Sequence, residues 1–109
     1  MNQIEKITEA ILKFRDERDW EQFHNEKDLA VALNVETGEL LELFLWKDAK
    51  EADPDKVREE LADVLNYSFL IAEKYGLDIE KIMLEKIKSN AEKYPADKAK
   101  GSAKKYSEL

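Results

Sequence analysis

Two stretches of this chain are apolar on nearly every side, yet both carry carboxylates at regular intervals. In "NVETGELLELFLW", residues 34–46, Leu40, Leu41, Leu43, Phe44, Leu45 and Trp46 leave little of a solvent face. In "ADVLNYSFLIA", Val64, Leu65, Tyr67, Phe69, Leu70 and Ile71 point in several directions. A helix apolar all round is usually buried all round. A chain of 109 residues makes one small domain, and four short helices from it struggle to cover two such segments. The expected architecture is all-α: a four-helix bundle completed by homo-oligomerisation.

Three Gly and two Pro leave few breaks, and no period-two alternation argues for strands. The first helix is expected at about Asn2–Arg18, with Ile4, Ile7, Ala10, Ile11 and Phe14 on one stripe. "DWEQFHNEKD" looks like a connection. The second helix should start near Asn25–Lys27, with Asp28 three residues beyond a capping Asn25, and reach about Trp46. After the polar loop "KDAKEADPDK", Asp53–Pro54 suits the start of a third helix, which runs to about Tyr75 and stops at Gly76. A fourth opens at Asp78 and ends near Lys93. The expected organisation is a helical domain over residues 1–95 and a basic tail over 96–109, with Lys98, Lys100, Lys104 and Lys105 against Asp97 and Glu108.

Composition narrows the function. A formal charge of −7 argues against a nucleic-acid binder, which wants a basic face. It leaves room for a small phosphorylated ligand, because a bound metal can supply positive charge locally. The absence of cysteine removes disulfides, thiolate zinc sites and cysteine nucleophiles. No apolar run approaches the roughly 20 residues needed to span a bilayer. "MNQIEKITEA" has no leader pattern, so a cytoplasmic location is the expectation.

The carboxylates then need a purpose, since a charge removed from water without a partner is costly. Residues three apart are neighbours on a helix. Glu36 and Glu39 form one such pair, and Glu60 and Asp63 a second on the next helix. If the two helices run antiparallel, as a short loop favours, the pairs face each other. Four clustered carboxylates repel, and a divalent cation relieves this better than protonation does. Oxygen-only ligands indicate a hard ion, Mg²⁺ or Mn²⁺. A di-iron bundle would need Glu-x-x-His motifs, but the single histidine, His24, lies outside both pairs. Most such acidic pairs are solvated helix faces; these two stand in the most apolar helices.

The pattern E-x-x-E, a spacer, then E-x-x-D resembles the MazG-like nucleotide pyrophosphohydrolases of the all-α NTP pyrophosphohydrolase superfamily. Within it the chain looks most like the dCTP pyrophosphatase branch, through "ERDWEQFH", "ETGELLELFLW", "EELADVLNY", "KIKSNAEKYP" and "KGSAKKYSEL" in that order. The resemblance implies a MazG-like bundle and Mg²⁺-dependent cleavage of a nucleoside triphosphate to NMP and pyrophosphate. It also implies Glu36, Glu39, Glu60 and Asp63 as metal ligands. Trp20, His24, Trp46 and Tyr67 match positions lining a nucleoside pocket, and Lys86, Asn90, Lys93 and Tyr94 match a C-terminal motif near the phosphates. Ile11 departs from the pattern: it lies nearest the place of a histidine in animal members, and this bears on base preference.

Several roles follow on chemical grounds. Metal ions can neutralise the phosphates and lower the pKa of an attacking water. Glu39 or Glu42 would orient that water or take its proton; for Glu42 an ion pair with Lys47 or another chain is an equal reading. A base can stack on Trp46 or Tyr67, with core packing as the alternative for both. Asn66, polar within an apolar run, is given no role. The expected partners are a nucleoside triphosphate and further copies of the chain, as homodimer or homotetramer, with no nucleic-acid polymer and no membrane. The rival functions are the same fold acting on dUTP, a modified dNTP or phosphoribosyl-ATP, and a non-catalytic helical interaction module.

Overall fold

Each of the four long helices begins on an Asn or Asp whose side chain caps it. In the computed structural model, which describes residues 1–109, α1 spans Gln3–Glu17, α2 Glu26–Glu42, α3 Pro54–Lys74 and α4 Ile79–Lys93. The side chains of Asn2, Asn25, Asp53 and Asp78 accept from the backbone N–H of Glu5, Asp28, Asp55 and Lys81 respectively. Such a cap contributes about 1 kcal/mol by satisfying a donor the helix leaves over. Asn2 and Asn25 also donate from their amides to Glu5 and Asp28, closing each first turn from both sides. Pro54 fills the first turn of α3, where no N–H is needed.

Helix ends differ more from expectation than starts do. α3 ends as foreseen: Gly76 takes φ +63°, its N–H reaches Glu73, and the Leu77 N–H reaches back to Ala72. This is the two-bond motif that satisfies carbonyls at a helix end. α2, expected to continue to about Trp46, stops at Glu42. From Leu43 to Leu45 the chain tightens into turns bonded three residues back, and Trp46 lies in the left-handed region at φ +61°. The apolar run does not mark where the chain turns. The loop beyond carries one turn of 3₁₀ helix, Ala49–Glu51.

The chain is all-helical and divides into two compact units, Met1–Leu77 and Asp78–Leu109. In the first, α2 and α3 pack along each other and α1 lies on α3. The hairpin is antiparallel: His24, just before α2, lies in the field of Lys74 at the end of α3, while Glu36 further along meets Glu60 near its start. Leu29, Leu70 and Ala72 are buried here. Many large apolar side chains are not, among them Val31, Val35 and Leu41 on α2 and Leu61 and Leu65 on α3. The second unit is α4, a short α5 at Ala96–Ala99, and a final 3₁₀ turn at Tyr106–Glu108 whose Tyr106 ring meets Tyr94 edge-on. No helix is long and apolar enough to cross a membrane.

Candidate functional site

The antiparallel hairpin brings the two acidic pairs together. Glu36, Glu60 and Asp63 each present a carboxylate oxygen within 4.8 Å of the others. Burial first, and then Glu39, Asp63 and Glu60, push the Glu36 carboxyl up to about 7. Glu60 is also raised, by burial and then by Glu39, so all four carboxylates share one field. None of them forms an ion pair. One oxygen each of Glu36 and Glu60 is buried without a hydrogen-bond partner. Unpaired acceptors of one charge, all oxygen, suit a hard divalent cation.

Beside the cluster lies a cavity of about 460 Å³ between α1, α3 and the turn before α2. That volume falls in the usual range for a small-molecule site. Asp63 belongs to both cluster and cavity, and Tyr67, one turn on, carries the wall inward. Burial, then Glu36, Asp63 and Glu39, raise the Tyr67 hydroxyl, which stays a donor at neutral pH. Trp20 and His24 close the other end. Burial, then the Arg15 and Lys74 cations, lower the His24 pKa and favour neutral imidazole, and its Nδ1 is buried without a partner.

Trp20 reaches this place through the end of α1. Asp19 adopts φ +54°, and the Trp20 N–H returns to the Arg15 carbonyl at 3.1 Å. This is the ending α3 makes with glycine, here made with aspartate. Trp20 then meets Phe14 edge-to-face at 5.8 Å between ring centroids.

Trp46 and Glu42 do not line the cavity. Trp46 is 99% exposed. Glu42, the last residue of α2, is exposed and makes no pair with Lys47. Lys86, Asn90 and Lys93 lie on α4; the Tyr94 N–H bonds to the Asn90 carbonyl, and Lys93 sits over the Tyr106 ring at 5.3 Å.

Ile11, noted as a departure, is in the cavity wall, and so is Asn66. Sequence reasoning missed Arg15, the one buried charged residue, which also lines the cavity. The signal was present: Arg15 follows Ile11 by four residues and so falls on the apolar stripe of α1.

Fold and site together define an all-helical domain built around facing carboxylate pairs on a helix hairpin. The chain belongs to the MazG-like family, whose model matches residues 31–109. It is 40% identical over 92 residues to the Homo sapiens protein dCTP pyrophosphatase 1, covering 77% of this chain and 54% of that one. The Rattus norvegicus protein of the same name is 39% identical over 92 residues, with the same coverage. The chain thus spans about half the length of the curated relatives it matches. Among solved structures, a pyrophosphatase from Archaeoglobus fulgidus superposes with a TM-score of 0.81 at 31% identity, covering 87% of this chain and 94% of that one.

Proposed function

We propose that the chain is a Mg²⁺-dependent nucleotide pyrophosphohydrolase, converting a (d)NTP and water to (d)NMP and pyrophosphate, with dCTP as its preferred substrate. The observation that carries this reading is the cluster of Glu36, Glu60 and Asp63 within 4.8 Å at the mouth of a cavity. Likeness to proteins named dCTP pyrophosphatase supports the substrate.

Glu36, Glu39, Glu60 and Asp63 would hold the cation, Mg²⁺ or Mn²⁺. Bound there, such an ion would supply positive charge toward the phosphates and lower the pKa of the attacking water. The protein's own groups do the rest. Glu39, part-buried beside Glu36 and Glu60, takes the proton from that water, with Glu42 one turn on as the alternative base. Trp20 and Tyr67 offer ring faces to the base. His24, neutral, offers its Nε2 to the base edge. Trp46 is assigned to the base as well, contributed at the face where copies meet. Lys86, Asn90, Lys93 and Tyr94 are assigned to phosphate oxygens.

The active form in this reading is a homodimer or homotetramer. Val31, Val35, Leu41, Leu61 and Leu65 on two helices, and Trp46 in the turn after α2, support it, since so many large exposed apolar groups call for cover. Sedimentation at micromolar concentration tests it: a particle at least twice the 12.7 kDa of the chain is expected, and a monomer contradicts it.

A second reading, another nucleotide at the same site, is favoured by Ile11, an apolar group in the cavity wall at the position noted as departing from the branch's pattern. A substrate panel separates the two: highest kcat/KM for dCTP supports the first, for a purine nucleotide the second.

A further inference from the structure

We propose that Arg15 is a positioning residue for the recognition end of the site: its main chain and guanidinium together clamp the turn that carries Trp20 and His24 onto the cavity. The inference rests on the cavity's being the nucleoside pocket.

A buried guanidinium is tolerated only where its N–H groups meet acceptors. Arg15 Nε donates to Asp16 at 2.8 Å, one terminal nitrogen lies 3.4 Å from Glu73 on α3, and the other lies 3.6 Å from Glu21. Lys74, also on α3, reaches Glu21 at 3.8 Å. The charges alternate Glu73, Arg15, Glu21, Lys74, and tie the turn after α1 to the end of α3. The Arg15 carbonyl meanwhile accepts the N–H of Arg18 and of Trp20. Trp20 is therefore held on one side through its own N–H and on the other through its neighbour Glu21, both by one residue. The His24 N–H closes the same turn on the Glu21 carbonyl at 2.9 Å.

The turn has a strained residue to hold: Asp19 occupies the left-handed region, which aspartate enters more readily than most residues but less readily than glycine. Arg15 has three carboxylate partners and needs no ligand to balance its charge, so it acts on substrate through Trp20 and His24.

The test is Arg15→Gln, read two ways. With Trp46 retained, KM for the nucleotide should rise about tenfold, the scale of one lost stacking contact, while kcat stays within about twofold. In a Trp46→Phe background, where Trp20 is the sole tryptophan, the emission should shift to the red and become more accessible to acrylamide. Arg15→Lys should not rescue either readout, because an ammonium cannot span the three partners of a planar fork. Arg58→Gln, the same charge change on the exposed face of α3, should leave both readouts alone. A lower melting temperature with KM and Trp20 emission unchanged would overturn the proposal, as would a fall in kcat at constant KM. If Arg15→Gln fails to fold, Glu73→Gln and Glu21→Gln carry the same readouts, and no change in either variant overturns it. Should the wild type hydrolyse no nucleotide, the functional reading fails, and Trp20 emission still decides the clamp.

Discussion

Two groups of carboxylates flank the cavity, and they are treated in opposite ways. Asp16, Glu21 and Glu73 surround Arg15, with Lys74 beyond, so every charge at that end has an opposite within 4 Å. Glu36, Glu39, Glu60 and Asp63 have no cationic side chain within 4 Å, and two of their oxygens are buried without a partner. The first group is finished by the chain itself and holds shape. The second keeps its repulsion, which only a proton or an external cation relieves. In the proposed reading this contrast assigns chemistry to one end of the cavity and recognition to the other.

The largest effect should come from the unpaired group. Glu39→Ala and Asp63→Ala are each expected to lower kcat by roughly 10²–10⁴, the scale of a lost proton-transfer or ligand group. Glu73→Gln, at the paired end, should act on KM instead. If Glu39→Ala and Asp63→Ala keep wild-type kcat at saturating Mg²⁺, the two ends have been misassigned.

That the acidic pairs would meet was legible from residues alone. Spacing of three puts Glu36 with Glu39 and Glu60 with Asp63, and a short loop folds the helices together. Helix starts were legible for the same reason, since Asn or Asp and the N–H it caps lie within three residues. The paired end was legible only in part: Arg15 stands on the apolar stripe of α1, but its partners Glu21 and Glu73 come from separate elements, which no local pattern announces. The end of α2 escaped too: nothing in Leu43–Trp46 marks the turn, and its left-handed residue is Trp46 where glycine would have signalled one.

The two tryptophans sharpen the comparison at the next scale. Stacking is worth about 1–3 kcal/mol per base, so Trp20→Ala should raise KM roughly tenfold to a hundredfold with little change in kcat. Trp46 packs against nothing within the chain, being 99% exposed. The core-packing alternative for it would apply only at a face between copies. Trp46→Gly, which also relieves the positive φ, should leave the stability of the isolated chain intact while raising KM. An unchanged KM for Trp46→Gly removes it from the site and leaves Trp20 as the stacking ring.

Smaller, but specific to the unpaired end, is an effect of pH on stability. Glu36 stands at about 7 in the fold against an ordinary 4.5, so between those values the folded state holds a proton that the unfolded chain has lost. Its stabilising contribution is therefore full below about 4.5 and lost as the pH rises through about 7. In chelator, wild type should lose melting temperature relative to Glu36→Gln across that window. Millimolar Mg²⁺ should restore wild type above it by several degrees, since roughly 4–8 °C corresponds to 1 kcal/mol in a domain of this size. Parallel curves for the two proteins, with no response to Mg²⁺, would mean that the four carboxylates do not act as one site.

The central claim is that the unpaired carboxylates, once a divalent cation is bound, cleave a nucleoside triphosphate held by the paired end. Pyrophosphate release, measured with and without Mg²⁺ across the common dNTPs and NTPs, tests it most directly. The account predicts release that requires the cation, yields NMP and pyrophosphate in equal amounts, and is fastest with dCTP. No release from any nucleotide at millimolar Mg²⁺ or Mn²⁺, or equal release in chelator, would contradict it.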